Sequence, residues 1–158
     1  MKTTRSALRP ACYALLLFLT ACRSVAPFPP VNLSAPGWTV RHGQAVWQPR
    51  KGALEIAGEL QLATHTSGDV FVQFTKNPLP LVLARTRGAQ WQIQFVPQKR
   101  TLAGTGAPTA RVVWLQLPPC LRGDPAGDGW SFTRNGADGW RMENASTGES
   151  LSGFLGPP

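Results

Sequence analysis

Apolar and polar residues alternate with a period of two through most of the chain after Trp38. The clearest example is Gln90–Phe95, in which Trp91, Ile93 and Phe95 alternate with glutamines. This alternation predicts a β-strand with one dry face and one wet face. The same pattern predicts further strands at 53–63, 70–75, 81–84, 101–104, 130–134, 140–144 and 149–155.

Short polar segments separate these strands and predict tight turns. His65–Asp69 and Arg87–Ala89 have the composition of hairpin connections, and Asn135-Gly136 begins another. The exception to the alternation is 108–121. There Ala110–Leu117 predicts a short helix with Thr109 as its N-cap and Pro118-Pro119 as its stop, although an apolar strand remains an alternative.

Connections this short require antiparallel pairing, so the expected fold is mostly β and built on a single antiparallel sheet. One or two short helical segments near 109–121 cannot cover both faces of a large sheet. We therefore expect a strongly curved sheet, an incomplete barrel, whose concave side is closed by the helical segment. This domain is expected to span 38–156.

The N-terminus has the layout of a secretory signal. Lys2, Arg5 and Arg9 precede an apolar run from Ala11 to Thr20, which is too short to span a bilayer. Leu19-Thr20-Ala21-Cys22 resembles the lipobox of bacterial lipoproteins. The resemblance implies that 1–21 is removed and that Cys22 carries a diacylglycerol. An ordinary secretory signal and a buried N-terminal helix are the alternatives.

The segment from Ser24 to Pro36 contains four prolines and no charge, so 22–37 is expected to be a lipidated cysteine followed by an extended tether. Arg23 follows the cysteine. In the best-studied lipoproteins an aspartate there retains the protein at the inner membrane, so the prediction is an outer-membrane protein that faces the periplasm.

The composition argues against several classes of function. The chain has a net charge of +8, but its basic residues are scattered and do not predict a nucleic-acid partner. His42 and His65 have no metal-ligand partners at helical spacing, and Glu55 with Glu59 is expected to form a solvated face. We expect no enzyme activity, no cofactor and no metal. Cys120 is expected to be a small buried apolar residue.

The order of these features resembles the half-barrel lipoprotein carriers, in particular the outer-membrane lipoprotein receptor (LolB-like). The resemblance rests on the lipobox, the proline-rich tether and five segments, which are Gly58–Leu62, Val72–Phe74, Asn77–Leu81, Trp91–Phe95 and Val113–Pro118. In that family an incomplete barrel of eleven strands, covered by short helices, holds the acyl chains of lipoproteins in transit. The present domain is shorter.

The resemblance implies that the chain binds acyl chains or lipoproteins in an apolar cavity and acts in lipoprotein localisation, with a periplasmic carrier as a partner. The candidate ligand-binding residues share the apolar faces of the predicted strands: Leu60, Leu62, Val72, Phe74, Leu81, Leu83, Trp91, Ile93 and Phe95. Leu79 is the candidate for a membrane-transfer loop. The alternative is a structural or interaction lipoprotein of the envelope in which these side chains simply pack together.

Overall fold

A computed structural model describes residues 27–158 of the chain. The predicted signal peptide and the lipidation site at Cys22 lie outside these described residues. Nine strands form one antiparallel sheet, which confirms the predicted mostly-β class. The strands are β1 Trp38–Gln48, β2 Ile56–His65, β3 Val70–Lys76, β4 Leu79–Arg87, β5 Gln90–Phe95, β6 Arg100–Thr105, β7 Trp130–Asn135, β8 Gly139–Asn144 and β9 Ser150–Leu155.

The strand order is β6-β5-β4-β3-β2-β1-β9-β8-β7, so the sheet is open, with β6 and β7 at its edges. Consecutive strands from β1 to β6 are neighbours and form a meander, as their short turns require. The strands β7 to β9 form a second meander, and β9 joins the first by pairing with β1. The connection from β6 to β7 must therefore pass from one edge of the sheet to the other.

The sheet is curled rather than flat. In a flat sheet, four strand spacings would separate β1 from β5 by about 19 Å. Yet the rings of Trp47 on β1 and Phe95 on β5 stack with their centroids 6.2 Å apart. Trp47 also lies edge-on to Phe74 of β3 at 6.3 Å. These contacts define an inner face, toward which the aromatic side chains of β1, β3 and β5 converge.

The connection between β6 and β7 covers part of this inner face. It contains a 3-10 turn at Val113–Leu115 and the helix α1 at Leu117–Arg122. The predicted helix at 110–117 is therefore misplaced, and Pro118-Pro119 begin the helix rather than end it. Proline is tolerated in the first helical turn because the amide hydrogens there have no intrahelical acceptor. Gly123, with φ of 103°, ends the helix.

Two strand predictions need correction. The second strand begins at Ile56 rather than Ala53, and Leu54 before it is 88% exposed. In β4, Val82 and Ala84 pair with Phe74 and Val72 and occupy the inner face. Leu83 pairs with Gln73 and Gln94 and therefore lies on the outer face, not among the predicted cavity residues.

Part of the predicted tether is attached to the outer face of the sheet. The Phe28 amide donates a hydrogen bond to Gln92 Oε1 at 3.0 Å. The guanidinium of Arg85 donates to the carbonyls of Phe28 and Pro29 and lies over the Phe28 ring. Burial lowers the pKa of Arg85. The segment from Phe28 therefore follows β4 and β5 instead of extending away from the domain.

Candidate functional site

A cavity of about 650 Å³ opens at one corner of the inner face. Its walls come from the end of β1, from β5 and β6, from the start of the β6–β7 connection and from the turn between β8 and β9. The volume lies within the range of about 300–1,000 Å³ that is usual for small-molecule sites. The cavity exists because the β6–β7 connection covers the centre of the inner face but leaves the β5–β6 corner open.

The apolar wall of the cavity is formed by large side chains from β1, β5, β6 and the β6–β7 connection. It consists of Trp47, Trp91, Phe95, Leu102 and Val112. The strict alternation of β5 directs Trp91 and Phe95 to this side and leaves the glutamines on the other. Trp91 and Phe95 are half-buried, whereas Ile93 between them is fully buried.

The Trp91 indole packs directly against the backbone at Gly104. Trp91 and Gly104 are direct partners in the β5–β6 register. A Cβ atom at Gly104 would lie 2.6 Å from Trp91 Cζ2, so any side chain there would displace the ring. The Trp91 Nε1 donor is buried and has no hydrogen-bond partner among the described residues. Gly104 therefore leaves the space on β6 that the Trp91 indole occupies.

Glu149 is the acidic residue in the wall, and it is only 5% exposed. Its Oε1 atom accepts a hydrogen bond from Trp47 Nε1 at 3.0 Å. Burial raises the pKa of Glu149 to about 7, while the hydrogen bonds from the Trp47 indole and the Val113 amide oppose this rise. The carboxyl group thereby joins β1, the turn before β9 and the 3-10 turn.

Three arginines, Arg50, Arg100 and Arg111, border the same cavity. All three are exposed, and they come from the β1–β2 loop, β6 and the β6–β7 connection, respectively. The ion pairs found in residues 27–158, Arg122–Asp124 and Arg141–Glu143, leave these three arginines without a carboxylate partner. The Arg100 guanidinium lies 5.9 Å from the centroid of the Phe95 ring. The mouth of the cavity is therefore positively charged.

The structure divides the predicted ligand-binding residues into distinct groups. Trp91 and Phe95 border the cavity. Leu60, Leu62, Val72, Phe74 and Ile93 lie in the packed core, and Leu81 packs against that core as the additional residue of a bulge in β4. As described above, Leu83 faces the other way. The inner face thus brings most of the candidates together, but of the nine only Trp91 and Phe95 border this cavity.

Sequence reasoning missed the other half of the site. Trp47 and the arginines gave no periodic signal, because they lie in different elements that only the curled sheet brings together. Glu149 precedes an apolar strand and looked like any polar residue at the start of a strand. Residue type was the available signal for Trp47, since tryptophan suits positions between apolar and wet regions, such as the wall of a cavity with a wet mouth.

The remaining candidates lie away from the cavity. Leu79 is 65% exposed at the start of β4, next to the turn at Asn77-Pro78. The His65 ring contacts Ser67 Oγ and Trp38, and Cys120 is a buried free thiol whose pKa is raised by burial. Within residues 27–158 no three side chains of His, Cys, Asp or Glu are grouped as metal ligands. No helix in this range is long and apolar enough to cross a membrane.

No known protein-family model matches the chain, and no curated protein is significantly similar to it in sequence.

Proposed function

We propose that the protein is a non-enzymatic lipoprotein that is anchored in the outer membrane through Cys22 and binds acyl chains in the cavity at the β5–β6 corner. It faces the periplasm and acts in lipoprotein localisation, with a periplasmic carrier as its partner. The proposal combines the lipobox-like N-terminus with the half-barrel resemblance stated above. The observation that supports it best is an apolar cavity of about 650 Å³ on the inner face of an open, curled sheet.

The shape of the cavity suits a flexible apolar chain. Large aromatic and aliphatic side chains form its apolar wall, and three exposed arginines border it. An acyl chain that enters from the mouth can bury its methylene groups against Trp91, Phe95 and Leu102. Each buried methylene group contributes about 0.8 kcal/mol of transfer free energy. Binding therefore needs no specific hydrogen bonds deep in the cavity.

The ligand part of this proposal is tested by identifying what the protein carries. Lipids that copurify with the protein should be extracted and identified by mass spectrometry. We expect acyl lipids in amounts that fall when Trp91→Ala removes apolar contact surface from the wall, and no change for Thr101→Ala on the exposed part of β6. Protein that carries no acyl lipid in either form would contradict the proposal.

The anchor is tested separately. A Cys22→Ser precursor should stay unprocessed by lipoprotein signal peptidase and should not incorporate radioactive palmitate. Cys120→Ser is the matched control and should be processed and labelled like the wild type. Normal processing and labelling of the Cys22→Ser precursor would remove the lipoprotein part of the proposal and leave the cavity to be explained in another compartment.

The tight packing over the rest of the inner face favours a second candidate function. Val72, Phe74, Val82 and Ile93 have no exposed surface, as expected of a sheet whose side chains pack on each other without room for a ligand. In this alternative the protein is a structural or interaction lipoprotein of the envelope, and the corner cavity stays filled with water. The lipid analysis described above separates the two functions.

A further inference from the structure

The charge around the cavity indicates what kind of amphiphile it binds. Arg50, Arg100 and Arg111 reach its mouth from three separate elements of the fold. The curled sheet and the β6–β7 connection must both form before these side chains come together. The tertiary fold therefore brings the three guanidinium groups together at the mouth of a cavity with an apolar wall.

Within residues 27–158 no carboxylate forms an ion pair with any of these three arginines. The acidic residue bordering the cavity is Glu149, which is buried and already accepts a hydrogen bond from Trp47. The mouth thus combines several guanidinium groups with an apolar interior. A guanidinium group forms strong, paired hydrogen bonds with carboxylate and phosphate oxygens.

The size of the cavity limits the number of chains. A volume of about 650 Å³ lies in the middle of the range for a single small molecule, and its apolar wall is formed by only five large side chains. A ligand with one chain fits this space, with its chain against Trp91 and Phe95 and its head at the mouth.

We infer that the cavity binds a single-chain anionic amphiphile, whose acyl chain lies against the aromatic wall and whose carboxylate or phosphate head is held by Arg50, Arg100 and Arg111. The inference rests on the proposed acyl-binding function and adds the charge and the number of chains of the ligand. The shared chemistry is an anionic oxygen head on one alkyl chain. A free fatty acid and a monoalkyl phosphate are its two sources.

The test uses three ligands of equal chain length with the purified full chain. Laurate, dodecyl phosphate and uncharged dodecanol are titrated below their micelle concentrations, and binding is followed by tryptophan fluorescence and calorimetry. We expect laurate or dodecyl phosphate to bind at least tenfold more tightly than dodecanol. Whichever anion binds more tightly identifies the head group. Added salt should reduce this preference, because the mouth is exposed to solvent.

Arginine variants test whether the three arginines at the mouth cause the preference for an anionic ligand. Arg50→Gln, Arg100→Gln and Arg111→Gln should each weaken binding of the anion by about fivefold, as expected for exposed ion pairs. Dodecanol binding should stay within twofold. Arg87→Gln, an exposed arginine that does not border the cavity, is the matched control and should change neither.

The outcomes distinguish this inference from the proposed function. If dodecanol binds as tightly as both anions, the anionic head is wrong and acyl binding stands. If the arginine variants leave the preference for the anion intact, the assignment of the head to Arg50, Arg100 and Arg111 is wrong, and acyl binding again stands. If none of the three ligands binds, acyl binding itself fails and the inference fails with it. A diacyl phospholipid that binds more tightly than either single-chain anion would overturn the single-chain part.

Discussion

Two neighbouring regions of the inner face, here called the closed end and the open end, have the same alternating sequence pattern but different packing. At the closed end, Phe74, Trp114 and Met142 are fully buried, and the Trp114 and Phe74 rings lie 5.2 Å apart. At the open end, Trp91 and Phe95 are half-buried and border the cavity. The strands are alike, so the difference comes from what covers them. The position of the β6–β7 connection decides which part of a uniform apolar face becomes core and which part becomes a site.

The largest loss of folding stability is expected for a substitution at the closed end. Trp114→Ala removes a fully buried indole that contacts Trp47 and Phe74. The free energy of unfolding should fall by about 3–5 kcal/mol, as is usual for truncation of a buried aromatic residue. Urea denaturation followed by circular dichroism measures this loss. A loss below about 1 kcal/mol would show that the closed end is not the core of the domain.

The next largest effect is a dependence of the free energy of unfolding on pH, and it comes from the buried carboxyl group of Glu149. The pKa of Glu149 is about 7 in the folded protein and 4.5 in its ordinary environment. Folding therefore takes up a proton between these pH values, so the free energy of unfolding falls as the pH rises from below 4.5 to above 7. The pKa difference of about 2.5 units, at 1.36 kcal/mol for each unit, sets an upper limit of about 3–4 kcal/mol on this change.

Glu149→Gln should remove this pH dependence, because the amide oxygen still accepts the hydrogen bond from Trp47 and does not ionise. Stability curves in urea at pH 5 and pH 8 test this directly. Glu55→Gln, on an exposed residue, is the matched control and should leave the slope unchanged. A Glu149→Gln protein with the slope of the wild type would contradict the burial argument.

A smaller effect on the free energy of unfolding is expected at Gly104, where the absence of a side chain leaves room for the Trp91 indole. Gly104→Ala places a methyl group against the Trp91 indole. The ring must move, at a cost of about 1–3 kcal/mol in the free energy of unfolding. Affinity for acyl ligands should change as well, because Trp91 lines the cavity. Thr101→Ala on the same strand should alter stability by less than about 0.5 kcal/mol. Equal behaviour of the two variants would remove the role assigned to Gly104.

The smallest effect on stability is expected outside both ends. Leu79→Ser alters an exposed side chain and should change the free energy of unfolding by less than about 0.5 kcal/mol. If Leu79 acts in membrane transfer, the variant should slow the transfer of a bound fluorescent fatty acid to vesicles. Leu54→Ser, on another exposed leucine, should leave the transfer rate unchanged. Equal rates for the two variants would argue against a transfer role for Leu79.

The sequence predicted strands best where the alternation was strict. Gln90–Phe95 agrees with β5 at both ends, because one wet and one dry face admit only one register. Leu81–Ala84 has no polar residue to distinguish its faces, and a bulge opposite Phe74-Thr75 shifts its register, so Leu83 was assigned to the wrong face. The helix was misplaced because two prolines were interpreted as a stop, although proline also suits a first helical turn.

The site was only partly predictable for a different physical reason. Trp91 and Phe95 follow from local alternation, which a sequence displays directly. Trp47, Glu149 and the arginines of the mouth come from segments far apart in the chain. Their proximity depends on how far the sheet curls and on where the β6–β7 connection crosses it, and neither is written in a local pattern.

The central claim is that the open end, and not the closed end, receives an acyl chain. A brominated fatty acid quenches only tryptophans that it contacts, so its effect on wild-type fluorescence should be compared in two variants. Replacing both Trp47 and Trp91 with Phe should abolish most of the quenching. Trp38→Phe, at the opposite end of β1, should leave it intact. Quenching that is absent in the wild type, or that survives the double replacement, would contradict the account.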